Sequence, residues 1–283
     1  MNELTLKGRG NLVQQYIATL DVTPKSRETY RKSLKQFMQF IDNNGITQPT
    51  RNDILSYKQY LLKQYKACTV SSYMTAVKGL FIYLESTHMY PNIANGIKGA
   101  KHQKGFRKDA LTIDQVKRIL DGIDTSSIEG LRNYALINLF VRTGLRTIEV
   151  HRANIEDIRQ EGGEALLYIQ GKGRDSKDSF VLLTDSTLYP IQKYLMARRT
   201  IDPKAALFAS HSDRNEGERI TTRTISWIVK QAMRTVGIDS ERLTAHSLRH
   251  TAITFSLLAG ATIQETQAMA RHANVNTTMI YAH

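Results

Sequence analysis

The sequence from residue 143 onward carries side chains that could act together on an anionic group. They lie in TGLRTIEV (143–150), QGKGRDSKD (170–178), AHSLRHTA (245–252) and MARHANVNTTMIYAH (269–283). Arginine can hold an anion through paired hydrogen bonds, histidine and lysine can transfer protons, and tyrosine can be a nucleophile. The six side chains of interest are Arg146, Lys172, His246, Arg249, His272 and Tyr281. Each alone has an ordinary structural explanation, such as a solvated lysine or a packed histidine, so only their combination indicates a site.

The order of these residues resembles the signature of the tyrosine recombinases, which include phage integrases and Xer-like and Cre-like enzymes. The matching features are TGLR-x-x-E, a Lys in a β-hairpin, His-x-x-Arg-His, a further His, and a Tyr nine residues later. One departure is Arg271, which precedes His272 where the family usually has Gly and which crowds that turn. In architecture the resemblance covers the whole chain.

The resemblance implies an enzyme that cuts and rejoins DNA through a 3′-phosphotyrosine on Tyr281, with strand exchange through a Holliday junction. Arg146 and Arg249 would clamp the nonbridging oxygens of the phosphodiester, and His272 would donate a hydrogen bond to it. Guanidiniums suit this task because they remain charged at any working pH and can bind oxygens bidentately.

Proton transfer needs further groups, because the pKa of an unperturbed tyrosine is about 10. By the resemblance, His246 would accept the proton of Tyr281, and Lys172 on the hairpin would protonate the leaving 5′ oxygen. Lys177 is the alternative acid, since the guanidinium of Arg174 stays charged and donates protons poorly.

The sequence indicates neither a cofactor nor a metal. Its single cysteine, Cys68, excludes a cysteine-rich zinc site and fits a reducing cytoplasm. The acidic residues are dispersed, whereas metal nucleases bring two or more carboxylates together on Mg²⁺. No GxxxxGK[ST] motif is present, so nucleotide hydrolysis has no obvious site.

The charge of the 283-residue chain indicates a polyanionic partner. The formal net charge is +13, of which residues 1–97 contribute +6, residues 98–109 contribute +4 and the remaining residues only +3. A basic surface concentrated in the first third and the segment after it suits DNA lying across both. The expected partner is double-stranded DNA with paired recombination sites.

The elements that must position these residues are mainly helical. Apolar spacing predicts a four-helix core-binding bundle over residues 1–97, including a helix that starts at Thr23-Pro24 and one that starts at Thr50. Residues 98–110 form a basic linker by composition. Residues 111–283 form a catalytic domain of α+β type, with a small antiparallel sheet predicted from EALLYIQ and DSFVLLT.

Basic side chains in the bundle and linker are candidates for DNA binding, through phosphate or base contacts. They are Arg27, Arg31, Lys78, Lys98, Lys101, Lys104, Arg107 and Lys108.

The resemblance also implies a homotetramer assembled on DNA, with accessory proteins as further partners. No apolar run suggests a membrane span, so we expect a cytoplasmic, nucleoid-associated protein. Relatives commonly continue past the nucleophile into a segment that docks on a neighbouring protomer. Here two residues follow Tyr281, so we expect little stable tetramer without DNA.

Two alternative functions stay open at this point. One is a DNA relaxase of the type IB topoisomerase kind, and the other is a non-catalytic DNA-binding regulator on the same scaffold.

Overall fold

In a computed structural model, the chain forms two compact units, Met1–Gly105 and Phe106–His283. The structure describes residues 6–101, 109–171 and 173–282, without the side chains of residues 6–10. The first unit contains four helices in its described part: α1 (Leu6–Thr19), α2 (Pro24–Asn43), α3 (Arg51–Gln64) and α4 (Ala67–Ser86). They correspond to the predicted bundle.

Local sequence explains where two of these helices begin. The hydroxyl of Thr23 accepts a hydrogen bond from the backbone N–H of Ser26 at 3.2 Å, and Pro24 occupies the first turn, where no N–H donor is needed. At α3, the carboxylate of Asp53 accepts from the backbone N–H of Thr50 at 2.7 Å. Both starts agree with the sequence prediction.

Aromatic side chains fill the core of the first unit. The rings of Phe37 and Tyr57 meet edge to face with centroids 5.0 Å apart, and those of Phe37 and Phe81 at 6.1 Å. Ile97 and Ala100 also pack into this core, with 3% and 6% of their surface exposed. The first residues of the basic segment 98–110 therefore pack on the helices before them.

The second unit contains eight further helices and three strands in its described part. The helices are α5 (Ile113–Asp121), α6 (Ile128–Thr143), α7 (Thr147–Arg152), α8 (Asp185–Arg198), α9 (Thr222–Thr235), α10 (Ala245–Leu258), α11 (Ile263–Ala270) and α12 (Asn276–Met279). A 3₁₀ turn spans Ile155–Asp157, and the strands are β1 (Ile158–Glu161), β2 (Glu164–Ile169) and β3 (Ser179–Leu183). The predicted fold class, mainly α with a small antiparallel sheet, is confirmed.

The sheet has the order β1-β2-β3 and is antiparallel throughout. Leu167 at its centre pairs with Ile158 on one side and Val181 on the other. The β2–β3 hairpin was expected, whereas β1 was not, because its sequence IRQE offers no apolar alternation.

The chain from Ala245 onward does not form one continuous helix. Gly260 (φ +92°) follows α10, and Arg271 (φ +53°) follows α11, so this part consists of three helices. A left-handed residue ends a helix because it turns the chain away from the helical axis.

The core of the second unit is built around α6, whose Leu136, Leu139 and Phe140 are fully buried. It packs against α8 and α10, and it ends at Gly144 in the left-handed conformation (φ +60°). The end of α6 is therefore a well-anchored point from which the next residues project.

Within the described ranges, no helix combines the length and the apolar character needed to cross a bilayer.

Truncation of Phe140 tests this anchoring role. Because Phe140 is completely buried, Phe140→Ala should lower the free energy of unfolding by about 3–5 kcal/mol through lost burial and a residual cavity. Phe180→Ala is the matched control, since 55% of Phe180 is exposed, and it should cost less than about 1 kcal/mol. Urea unfolding followed by circular dichroism measures both, and equal losses would contradict this account of the core.

Candidate active site

Arg146 follows the end of α6 and caps the start of α7. The carboxylate of Glu149 accepts from the backbone N–H of Arg146 at 2.7 Å and from its guanidinium at 2.8 Å. Glu149 is 1% exposed, whereas 30% of the Arg146 side chain remains exposed. The buried carboxylate thus orients a guanidinium that solvent, or a substrate, can still reach.

Arg249 lies on α10 and is 2% exposed. Its guanidinium donates to the carbonyl of Gly144 at 2.5 Å and to the carbonyl of Ala270. Burial, and then the positive charges of Arg146 and Arg271, lower the pKa of Arg249 to about 10. Arg249 therefore stays protonated at neutral pH, and it connects the ends of α6 and α11.

His272 follows α11, and its Nδ1 lies 2.9 Å from the hydroxyl of Thr278. Burial, and then the charges of Arg249 and Arg146, lower the pKa of His272 to about 4. The imidazole is therefore neutral at pH 7. When Thr278 donates its hydroxyl hydrogen to Nδ1, Nε2 keeps the ring proton and can donate it to a phosphate oxygen.

Tyr281 comes shortly after α12, and its hydroxyl contacts Nδ1 of His250. The two rings are tilted, with centroids 5.3 Å apart, and the ring of His246 lies edge-on to that of His250 at 4.8 Å. Burial raises the pKa of Tyr281 to about 12, and the charge of Arg249 opposes this shift. In this state the phenol is protonated at neutral pH.

His250 is a site residue that was not predicted from the sequence, although the sequence contains a signal for it. His246 and His250 are four residues apart on α10, so they lie on the same face of the helix. His250 is the second histidine of the His-x-x-Arg-His pattern. The contact itself is seen only in the structure, where the chain after α11 brings the phenol of Tyr281 to His250.

Lys172 lies outside the described residues, but Gly171 before it and Lys177 after it both contact the segment that follows Arg146. The guanidinium of Arg152 donates to the carbonyl of Gly171 at 3.0 Å. The ammonium of Lys177 donates to both oxygens of Asp157, at 2.6 and 2.7 Å, and Asp157 is 2% exposed. Lys177, the alternative acid, is therefore engaged in a buried ion pair.

The candidate DNA-binding residues have different surroundings. Arg27 donates to the carbonyl of Leu20 at 2.8 Å, Arg31 pairs with Glu28, and Lys78 is half-buried. Two lysines of the basic segment are exposed: Lys98 and Lys101. Three candidates lie outside the described residues: Lys104, Arg107 and Lys108. DNA binding by these eight residues stays a prediction.

Five of the six predicted site residues thus lie close enough together for their charges to affect one another's pKa values. They are Arg146, His246, Arg249, His272 and Tyr281. A group of three or more histidine, cysteine, aspartate or glutamate side chains that could hold a metal does not occur among the residues described. The cluster combines buried cations, a neutral histidine and a phenol. This combination can bind an anionic diester and place a nucleophile beside it.

Comparison with known protein families agrees with this geometry. Residues 109–283 match the phage integrase family, and residues 13–88 match the phage integrase N-terminal SAM-like domain. The chain is 29% identical to tyrosine recombinase XerC of Herpetosiphon aurantiacus over 96% of its own length and 90% of that protein. It is 28% identical to tyrosine recombinase XerD of Listeria monocytogenes over 90% of its length and 86% of that protein. The chain belongs to the phage integrase family of tyrosine recombinases.

Solved structures share the fold. A XerH site-specific recombinase bound to a palindromic difH substrate superposes with a TM-score of 0.77, at 22% identity, covering 97% of this chain and 81% of the other. A lambda integrase dimer bound to a COC′ core site gives a TM-score of 0.76 at 18% identity, covering 99% and 96%.

The lowered pKa of His272 predicts a pH-dependent contribution to stability. The unfolded chain binds a proton on this ring below about pH 6.5, whereas the folded chain does so only near pH 4. The contribution of His272 is therefore complete above pH 6.5 and is lost as the pH falls towards 4. After allowance for partial exposure, the loss should be about 1–2 kcal/mol.

Urea unfolding of the wild type and of His272→Gln at pH 7 and at pH 4 measures this contribution. The wild type should lose more stability than the variant on acidification, and the difference between them isolates His272 from the other titrating groups. Parallel losses in both proteins would show that His272 titrates normally in the folded state.

Proposed function

We propose that the protein is a site-specific recombinase that cleaves and rejoins DNA through a covalent bond between Tyr281 and a 3′ phosphate. The observation that carries the proposal is that the phenol of Tyr281 contacts His250 on α10, the helix that also carries Arg249, and that the guanidinium of Arg249 donates to the carbonyl of Gly144, two residues before Arg146. Membership in the phage integrase family supports the same chemistry. A topoisomerase-like relaxase and a non-catalytic regulator are disfavoured by the similarity to Xer recombinases over most of the chain.

In the proposed cleavage step, the phenol oxygen of Tyr281 attacks the phosphorus and the bond to the 5′ oxygen breaks. Negative charge grows on the nonbridging oxygens, where Arg146 and Arg249 would each donate hydrogen bonds. His272 would add a neutral N–H donor. The product is a 3′-phosphotyrosine and a free 5′ hydroxyl, so the energy of the broken bond is retained and rejoining needs neither ATP nor metal.

Tyr281 must lose its proton during the attack, and its raised pKa makes an adjacent base necessary. We assign this base to the pair of histidines on α10. His250 Nδ1 contacts the phenol oxygen, and His246 stacks edge-on against His250. The proton would move directly from Tyr281 to His250. His246 would stabilise the resulting positive charge on His250 or pass the proton on to solvent.

The leaving 5′ oxygen requires a proton, for which Lys172 is the proposed donor. The bidentate ion pair of Lys177 with the buried Asp157 argues against Lys177, because breaking it would leave a buried carboxylate without its partner.

Strand exchange requires two sites and four active centres, so we propose that a homotetramer assembles on paired sites and acts through a Holliday junction. A lambda integrase with this fold has been seen as a tetramer bound to a Holliday junction. Residues 1–97 would serve as the core-binding domain, residues 98–110 as a basic linker and residues 111–283 as the catalytic domain, acting on nucleoid DNA in the cytoplasm. Both integration or excision of a mobile element and resolution of chromosome dimers fit this scheme.

A nicked suicide duplex tests the covalent step directly. Its cleavage releases a short strand that diffuses away, so religation fails and the protein remains attached to DNA. We expect wild-type protein to form an adduct that resists denaturing electrophoresis and Tyr281→Phe to form none, because only the phenol oxygen can join to phosphorus. The site sequence must first be found by selecting bound fragments from genomic DNA and footprinting the protein on them.

Tyr189→Phe is the matched control, since it removes the hydroxyl of a tyrosine that is 65% exposed on α8. It should leave adduct formation unchanged. Wild-type protein that binds its footprinted site yet never becomes attached to it would refute the proposed function.

The proposed acid is tested with a DNA substrate whose leaving oxygen is replaced by sulfur. A 5′ thiolate departs without a proton, so Lys172→Ala should be slowed by about 10²-fold on ordinary DNA and should recover most of its rate on the thio substrate. Lys177→Ala provides the comparison and should gain no more from sulfur than the wild type does. If instead Lys177→Ala is the variant that recovers, the acid is Lys177.

A further inference from the structure

A third arginine shares the carboxylate that orients Arg146. Nη2 of Arg271 lies 3.2 Å from Oε2 of Glu149, the oxygen that also accepts from the backbone N–H of Arg146 at 2.7 Å. The other oxygen, Oε1, accepts from the Arg146 guanidinium at 2.8 Å. One buried carboxylate therefore binds two guanidiniums, each through a different oxygen.

A second hydrogen bond, besides the ion pair, holds the guanidinium of Arg271 in place. Its Nη1 donates to the carbonyl of Met269 at 2.7 Å, and only 15% of the side chain is exposed. The backbone has φ +53°, in the left-handed region that costs a non-glycine residue free energy. Arginine at this position thus works against the local backbone preference and adds a cation to a cluster that already holds Arg146 and Arg249.

The charge balance suggests what Arg271 contributes. Without it, Oε2 of Glu149 would keep only the backbone N–H of Arg146 and could accept from the Arg146 guanidinium as well, giving the bidentate arrangement that a carboxylate and a guanidinium prefer. Such a pair would draw Arg146 towards Glu149 and occupy two donors that a phosphate would otherwise receive. Arg271 engages Oε2 and so limits Glu149 to a single contact with the guanidinium of Arg146.

We propose that Arg271 is a positioning residue for the cleavage reaction, which keeps the Arg146 guanidinium available to the scissile phosphate by engaging the other oxygen of Glu149. The inference rests on the proposed function. It assigns Arg271 no contact with the DNA, so its loss should slow cleavage without weakening DNA binding beyond the effect of removing one charge.

The test measures single-turnover cleavage of the nicked suicide duplex at saturating protein, together with the Kd for the same duplex. Arg271→Gly is the informative variant, because glycine adopts φ +53° readily and the fold should be retained. Its cleavage rate should fall about tenfold, the size of effect typical of coupled neighbouring groups. Circular dichroism melting confirms that the variant is folded.

Arg199→Gly is a closely matched control. Arg199 also ends a helix, also has φ +53°, and is exposed, so its replacement removes the same charge and the same backbone strain away from Glu149. Its cleavage rate should equal that of the wild type, and its Kd should match that of Arg271→Gly within about twofold. A larger loss of affinity in Arg271→Gly would mean that Arg271 contacts DNA and would overturn the inference.

A second substitution separates positioning from simple anchoring of the fold. Glu149→Gln added to Arg271→Gly removes the carboxylate that would capture Arg146, while the amide oxygen can still accept from the backbone N–H of Arg146. The double variant should therefore cleave faster than Arg271→Gly alone, whereas a lost structural anchor would not be restored. No recovery, or full activity of Arg271→Gly itself, would refute the inference; a wild type without any adduct would refute the proposed function first.

Discussion

The buried guanidinium of Arg249 is the interaction on which the rest of the site depends. It joins the carbonyl at the end of α6 to the carbonyl at the end of α11, two points 126 residues apart in the chain (Gly144 and Ala270). Transfer of a cation from water into a protein is costly unless strong acceptors replace the water. Here neutral carbonyls accept from Arg249, so its positive charge is held in place without being cancelled, and Arg146 and His272 are placed beside it.

The shifted pKa values follow from this uncancelled charge. His272 is kept neutral because it is buried beside arginines, whereas Arg249 remains protonated because its pKa falls only to about 10. Tyr281 responds mainly to burial, which raises its pKa to about 12 despite the charge of Arg249. A phenol in this state is a weak nucleophile. Before the phenol of Tyr281 could react, a phosphate would have to bind and the phenol proton would have to move to His250. This requirement would limit reaction in the absence of DNA.

The sequence allowed the helices, their caps and most of the cluster to be predicted, because these depend on local patterns. The helix starts at Thr23-Pro24 and at Thr50 depend on side chains within three residues of the positions they specify. Strand β1 and the contact of His250 with Tyr281 could not be found in this way. The strand has no alternating pattern of its own, and the histidine meets a phenol that lies 31 residues further along the chain.

Arg271 shows why a departure from a familiar pattern can carry information. In sequence it was only a large residue in a turn, where crowding was the expected consequence. In the fold its guanidinium reaches a carboxylate 122 residues away, and the left-handed backbone is compatible with that reach. Three guanidiniums around one carboxylate leave the cluster with a net positive charge. A dianionic transition state at phosphorus would neutralise more of that charge than the monoanionic diester does, so the cluster should bind the transition state more tightly than the substrate.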